Sequence, residues 1–315
     1  MEIVVRQMSG LGNQLFQYAA GRYYAARYNA KLRISIDPDR NANSYGSPRP
    51  FQLAAFCIDA PMRPANAFEQ LVCSQSHKAR KVASAALRLV NAQLWREPEA
   101  FHFYPQLPYR NLPATLYMRA YWEAAGYAAG VETSLRKELQ IRAAPQGQDG
   151  ATLEAIAASR CPVSVHLRRG DYALGPNILA LPLLYYRQAW QEILDEFEDV
   201  EFFIFSDDMD YARANLPSSG VRHFISHNGS DTAYQDLRLM AACRHHILAN
   251  SSFSWWGAWM DPRPDKVVIA PKFWRNSPYN PDLFPPGWRL LDNYTAPHGH
   301  QGAITDFALE ATSVS

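Results

Sequence analysis

One pattern recurs along this chain and limits its fold more than any other: a short apolar run, a turn of small residues, then a segment of helical period. Ile3-Val4-Val5 leads through Gly10-Leu11-Gly12 into Asn13 to Tyr28, where Leu15, Phe16, Ala19, Tyr23 and Ala26 share a face. Leu32 to Ile36 reads as a second strand and Thr115 to Tyr121 as an extended run, while 61–71, 78–95 and 130–142 read as helices. Beyond residue 150 the alternation is cleaner. Strands at Pro162 to Leu167, Val200 to Phe205, His246 to Ala249 and Lys266 to Ala270 accompany helices at 181–198, Thr232 to Ala242 and from Ser252 onward. A helix is the connection that parallel strands require, so each half predicts a parallel sheet with helices on both faces. Between the halves, Ala143 to Gly150 is polar, carries Gly and Pro and lacks periodicity, the marks of a linker. The expectation is an α/β chain of two doubly wound domains facing a central cleft, 1–145 and 146–297, with a loosely attached tail at 298–315.

Composition narrows the function. Lys plus Arg number 31 and Asp plus Glu 30, a net charge of +1, so no nucleic-acid partner is expected. Hydrophobic residues make up 48% of the 315, enough for a sizeable core. Cysteines at 57, 73, 161 and 243 have no metal-site spacing and do not form a disulfide framework, which points to a reduced compartment. The N-terminus lacks a signal-peptide pattern, and no run of about 18 apolar residues is present to span a membrane. A cytoplasmic chain is expected, in which the sequons at Asn228, Asn250 and Asn293 carry no glycan.

Polar clusters fall where strands end, the place where open α/β sheets bind ligands. His166-Leu167-Arg168-Arg169-Gly170-Asp171-Tyr172 follows the strand Pro162 to Val165. Two guanidiniums beside a glycine turn suit a phosphate, and an Arg–Asp ion pair in a surface loop is the competing reading. Asn250-Ser251-Ser252-Phe253-Ser254 leads a strand into a helix, as a cap or as an anion site on the helix dipole. Ser206-Asp207-Asp208 ends another buried strand with carboxylates suited to ribose hydroxyls or a purine edge. Gly10-Leu11-Gly12-Asn13-Gln14-Leu15 half-matches the dinucleotide fingerprint, but Leu15 replaces its third glycine, which weakens a NAD reading. His245-His246 reads as a strand entrance rather than a metal site.

Four segments, in this order, resemble the alpha-1,2-fucosyltransferase family (glycosyltransferase family 11, bacterial type): GLGNQLFQYA at 10–19, HLRRGDY at 166–172, FIFSDDM at 203–209 and SSFSWWGAWM at 251–260. The resemblance runs from residue 3 to about 275. It implies the GT-B arrangement of two Rossmann-like domains. It also implies transfer of L-fucose from GDP-β-L-fucose to the 2-hydroxyl of a galactose, with inversion, in surface-glycan synthesis and without metal or cofactor. By the same resemblance Arg168 faces the pyrophosphate, and Ser251, Ser252, Phe253 and Ser254 lie near the phosphates. Asp207 and Asp208 lie toward the guanosine and His166 close to the donor. Asn13 and Gln14 approach from the other domain. Arg169 and Asp171 either contact the donor or hold the loop. Two triplets, Asp208-Met209-Asp210 and Asp37-Pro38-Asp39, match the D-x-D pattern of metal-binding sugar transferases, but aspartate is common at helix starts and no metal is expected.

The acceptor hydroxyl has to lose a proton as it attacks, and Asp37 and Glu123 are the candidate bases, each also readable as structural. Phe253, Trp255 or Trp256 would form an apolar wall for the methyl group of fucose. Many relatives carry a polar run where this chain reads Glu123-Ala124-Ala125-Gly126-Tyr127, so acceptor contacts do not transfer by analogy. In 78–96, Val82, Ala86, Leu89, Val90 and Leu94 form a stripe among Lys78, Arg80, Lys81, Arg88 and Arg96. It reads as a packed helix with a solvated basic face, or as peripheral contact with the inner face of the cytoplasmic membrane, near a lipid-linked, galactose-terminated acceptor. A transferase of another nucleotide-sugar and a non-catalytic glycan-binding protein are the alternatives.

Overall fold

The computed structural model describes residues 1–37, 49–74, 76–170, 180–274 and 279–293. Asp39, Asp171 and the tail at 298–315 lie outside them. The chain divides into two units: Met1–Ala144 with Ser230–Tyr234 and Asn280–Pro286, and the remainder.

The first unit runs β1 (Glu2–Gln7), α1 (Leu11–Arg27), β2 (Lys31–Ile36), β3 (Met62–Pro64), α2 (Ala67–Val72), α3 (His77–Leu89), β4 (Ala92–Trp95), β5 (Thr115–Met118), α4 (Ala125–Ala129) and α5 (Glu132–Glu138). Its sheet has the order β3-β2-β1-β5-β4, every pair parallel. The apolar Ile3-Val4-Val5 run puts β1 at the centre, buried on both faces. The close helix–sheet approach that Leu15 forbids is supplied further along α1 by Gly21, where a Cβ would lie 2.3 Å from Val5. Tyr24, Trp95, Trp122 and Tyr127 fill the adjoining core, with the Trp95 and Trp122 rings 4.8 Å apart.

The second unit contains α6 (Gly147–Ala158), β6 (Cys161–Leu167), α7 (Leu183–Glu196), β7 (Val200–Ser206), α8 (Met209–Asn215), β8 (Val221–Ile225), α9 (Ala233–Ala242), β9 (His245–Ile247), α10 (Ser252–Met260), β10 (Val268–Pro271) and β11 (Arg289–Leu291). The sheet order is β11-β10-β9-β6-β7-β8, again all parallel. The chain lays β7 and β8 on one side of β6, then returns to lay β9, β10 and β11 on the other. This is the doubly wound Rossmann order, and its reversal falls between β6 and β9. Trp190 of α7 stacks on Phe202 of β7, ring centroids 3.5 Å apart. Ser164 Oγ meets His246 Nδ1 at 2.8 Å and His246 Nε2 meets Asp261 at 3.1 Å. Arg263 completes the carboxylate at 2.7 Å. Those three residues have the order of a hydrolase triad, but all are buried and they tie β6, β9 and the end of α10 together.

Several boundaries depart from the sequence reading. Segment 61–71 is β3 followed by α2, which starts after Asn66, whose side chain accepts the Glu69 N–H at 2.9 Å. Segment 78–95 is helical only to Leu89; Asn91 turns left-handed at φ 48°, and 92–95 form β4. The linker ends early, because α6 begins at Gly147. The α3 stripe also faces the other way. Ala83 and Leu87 point inward, while Val82, Leu89 and Val90 are 59%, 88% and 55% exposed. Among the described residues no helix is long and apolar enough to cross a membrane, and all four cysteines are free thiols.

Candidate active site

In the second unit, residues following β6, β7 and β9 meet along one sheet edge, beside the reversal of strand order. Arg168, just past β6, places Nη1 3.0 Å from Asp207 Oδ2, just past β7. The Arg169 N–H donates to the other oxygen of Asp207 at 2.9 Å. Gly170 makes this fit possible: a Cβ there would lie 2.5 Å from Asp207 Oδ2. The Arg169 side chain turns to α8, 3.5 Å from Asp208 and 3.8 Å over the Tyr211 ring. Asp208 is the N-cap of α8, accepting the Tyr211 N–H at 3.1 Å, so Asp208-Met209-Asp210 is a helix start. Among the described residues no cluster of three or more His, Cys, Asp or Glu could hold a metal.

His166 is 6% exposed and its Nδ1 has no hydrogen-bond partner. Burial, and then the charge of Arg168, push its pKa down to about 3, so the imidazole is neutral. Its ring lies 5.7 Å from that of Phe253, in the first turn of α10. Ser251 caps that helix, accepting the Phe253 N–H at 3.3 Å. The first backbone bond along the helix runs from Trp255 N–H to Ser251 C=O at 3.1 Å, so the amides of Ser252, Phe253 and Ser254 make up its positive end. The Ser254 hydroxyl turns back to Ser251 C=O at 3.2 Å. Trp255 and Trp256 are fully buried core residues and cannot wall a sugar; Phe253 is partly exposed.

In the first unit, Asn13 and Gln14 occupy the first turn of α1. Asn13 donates to Ser9 Oγ at 3.1 Å. Gln14 donates to the carbonyls of Ser9 and Pro50, each at 2.9 Å, and accepts the Gln52 N–H at 3.0 Å. That pins the 50–52 segment to the turn. Asp37, just past β2, is paired with Arg6 at 2.6 Å. It lines a recess with Gln7, Ser9, Gln14, Arg49 and Phe51. Ser9 is left-handed at φ 64° at the rim of that recess. Glu123 is buried beyond β5 after Trp122, left-handed at φ 58°, and does not line the recess.

Sequence reasoning did not single out Gln7, Tyr211 or a knot past β8. There Asp149 meets His227 and Asn228, each at 2.9 Å, and Asn228 also donates to Asp236 at 2.9 Å. Burial raises Asp236 to about 6. The clue for Gln7 was a polar residue closing an apolar strand just before a glycine turn.

A doubly wound unit joined to a second parallel-sheet unit is the two-Rossmann arrangement of the GT-B class. The solved structures agree in fold. The fucosyltransferase NodZ from Bradyrhizobium is 16% identical with a TM-score of 0.51, over 85% of this chain and 94% of that one. Arabidopsis thaliana FUT1, in complex with GDP, is 12% identical with a TM-score of 0.50, over 85% of this chain and 70% of that one. The family model for glycosyl transferase family 11 matches residues 96–292, and the chain belongs to that family. An Escherichia coli alpha-1,2-colitosyltransferase is 27% identical over 86% of this chain and 92% of its own length. The Escherichia coli O-antigen biosynthesis glycosyltransferase WbnK is 34% identical over 38% of this chain and 41% of its own. Galactoside alpha-(1,2)-fucosyltransferase 1 of Saimiri sciureus is 29% identical over 43% and 37%.

Proposed function

We propose that this glycosyltransferase moves L-fucose from GDP-β-L-fucose to the 2-hydroxyl of a galactose, inverting the anomeric centre. The observation that carries the reading is Arg168, anchored by Asp207, beside the capped start of α10 at the strand reversal. As the bond from C1 to the β-phosphate oxygen breaks, negative charge grows on GDP. A guanidinium and aligned first-turn amides stabilise that charge in place of a divalent ion. Asp207 and Asp208 face the nucleoside and Phe253 the sugar methyl. The acceptor oxygen attacks C1 from the opposite face, and its proton passes to a base or water. Of the two candidate bases, Asp37 fits better, because it lines a recess and Glu123 does not.

A second donor is favoured by the relative that matches along nearly its whole length, a colitosyltransferase. Colitose is a fucose without its 3-hydroxyl, so the same phosphate chemistry serves both sugars. The acceptor is read as a galactose-terminated, lipid-linked glycan at the cytoplasmic face of the membrane. Exposed Val82, Leu89 and Val90 with Lys78, Lys81 and Arg88 support peripheral contact there.

Turnover of GDP-fucose and GDP-colitose on a galactoside array, with and without EDTA, tests the reading. Transfer of fucose to a galactose 2-hydroxyl, undiminished by EDTA, is expected. Displacement of the donor by UDP as readily as by GDP would exclude guanosine recognition.

A further inference from the structure

Helix α9 starts in one unit and continues in the other. Ala233 and Tyr234, its first residues, belong with Ser230–Tyr234 to the first unit, and the helix from Gln235 onward belongs to the second. A buried glutamine grips the 230–234 segment. Gln52 donates from Nε2 to Ser230 C=O at 2.7 Å and accepts the Tyr234 N–H at Oε1, 3.2 Å away, so one carboxamide spans both ends of it. The backbone N–H of Gln52 goes to Gln14 Oε1 in the first turn of α1, and both hydrogens of the Gln14 amide are taken up by Ser9 and Pro50. Behind Gln52, Arg142 donates its N–H to Ala55 C=O at 2.9 Å and its Nε–H to Phe56 C=O at 2.7 Å. Gln52 therefore sits on a fixed segment, with its side chain on the start of α9 and its backbone on the start of α1.

The far end of α9 abuts α10. A Cβ at Gly257 would lie 2.9 Å from both Cβ and Sδ of Met240, so the two helices touch with no space between them. Met240 and Leu239 share a core cluster with Phe203 and Phe205, and Phe253 packs against it from the first turn of α10. Packed interiors are stiff, so a shift of α10 is passed to α9 and along it to Tyr234.

We propose that Gln52 is a positioning residue that couples nucleotide binding at the start of α10 to the first turn of α1, by way of α9. That the nucleotide is GDP rests on the function proposed above; the route from α10 to Gln52 does not.

Hydrogen–deuterium exchange on the full chain, with and without saturating GDP, UDP or ADP, tests the coupling. In the parent, GDP should slow exchange of peptides covering Gln14 to Tyr18 and Gln52 to Phe56 about fivefold, the low end of usual coupling between sites. Gln52→Met keeps the size of the side chain and the backbone bond to Gln14, and removes both bonds to the 230–234 segment. In it the effect of GDP on these peptides should vanish, while the Kd for GDP by titration calorimetry stays within about threefold because the phosphate contacts are untouched. A Gln52 that is merely structural would speed exchange equally with and without GDP and leave their ratio unchanged. Gln52→Glu keeps the acceptor for the Tyr234 N–H, should retain part of the effect, and serves where Gln52→Met does not fold. Slowing by UDP or ADP in place of GDP would remove guanosine recognition and leave the coupling standing. GDP bound by the parent without slowing at either peptide, or slowing undiminished in both variants, would overturn the coupling and leave the donor reading standing. A parent that binds none of the three nucleotides would overturn both.

Discussion

A single methyl group at Gly170 tests how Arg168 is held. A Cβ there would meet Asp207 Oδ2 at 2.5 Å, whereas ordinary contact begins near 3.4 Å, so the carboxylate has to retreat by about 0.9 Å. The Arg168–Asp207 pair then opens from 3.0 Å toward about 3.9 Å, and the Arg169 N–H bond lengthens from 2.9 Å to about 3.8 Å, beyond hydrogen-bond range. A hydrogen bond to a charged group contributes roughly 1.5–3 kcal/mol, so Gly170→Ala should cost about 2 kcal/mol of stability. In a domain of this size that is a fall of about 4–8 °C in Tm. With Arg168 no longer oriented, GDP should bind about tenfold more weakly, or about 1.4 kcal/mol. Differential scanning calorimetry and titration calorimetry with GDP read the two effects. Gly229→Ala is the control, since a Cβ there meets nothing within 4 Å. If Gly170→Ala binds GDP as tightly as the parent and melts at the same temperature, Asp207 does not position Arg168.

Other outcomes follow from the same geometry. Arg168→Ala should lower kcat by about 10²–10³, and Arg168→Lys by less, because it keeps the charge and loses the fork; single-turnover rates in EDTA check this. His166 has its folded pKa depressed, so its contribution is present above the ordinary value of 6.5 and is lost as pH falls toward about 3. The parent should therefore lose about 1.4 kcal/mol per pH unit more than His166→Leu between pH 6 and 4 in urea melts, and equal slopes would show that His166 is not held neutral. For α3, Val82→Glu with Leu89→Glu should reduce sedimentation with phosphatidylglycerol vesicles about tenfold, whereas equal sedimentation would exclude a membrane role for that face.

The parts of this fold that were legible in the sequence are those where local pattern and tertiary environment agree. Ile3-Val4-Val5 and Pro162 to Leu167 are apolar because they are central parallel strands, buried on both sides, and nothing competes with that reading. The two-domain α/β class follows from their alternation with helices. Short edge strands such as β3, β4 and β11 carry three or four residues each, too few for periodicity to separate them from flanking helices. The orientation of α3 was misread because its true inward positions, Ala83 and Leu87, are less conspicuous than Val82 and Leu89, which the fold leaves outside. At the candidate site, position after a strand picked out Arg168 and Asp207, but only three-dimensional contact separates Arg168 from Arg169, which stacks on Tyr211, 42 positions further along the chain. Gln7 shows in the sequence only as a polar residue that closes an apolar strand. A glutamine in a strand has no pattern of its own, and its unmatched amide exists only once the turn and the 49–51 segment close around it.

The central claim is that Arg168 and the start of α10 receive the diphosphate of the leaving nucleotide. A crystal structure of the chain with GDP tests it most directly. The account predicts β-phosphate oxygens about 2.7–2.9 Å from the Arg168 guanidinium and within hydrogen-bond reach of the Ser252 to Ser254 amides. A diphosphate bound away from both, or held by a divalent ion with Arg168 still turned to Asp207, would contradict it.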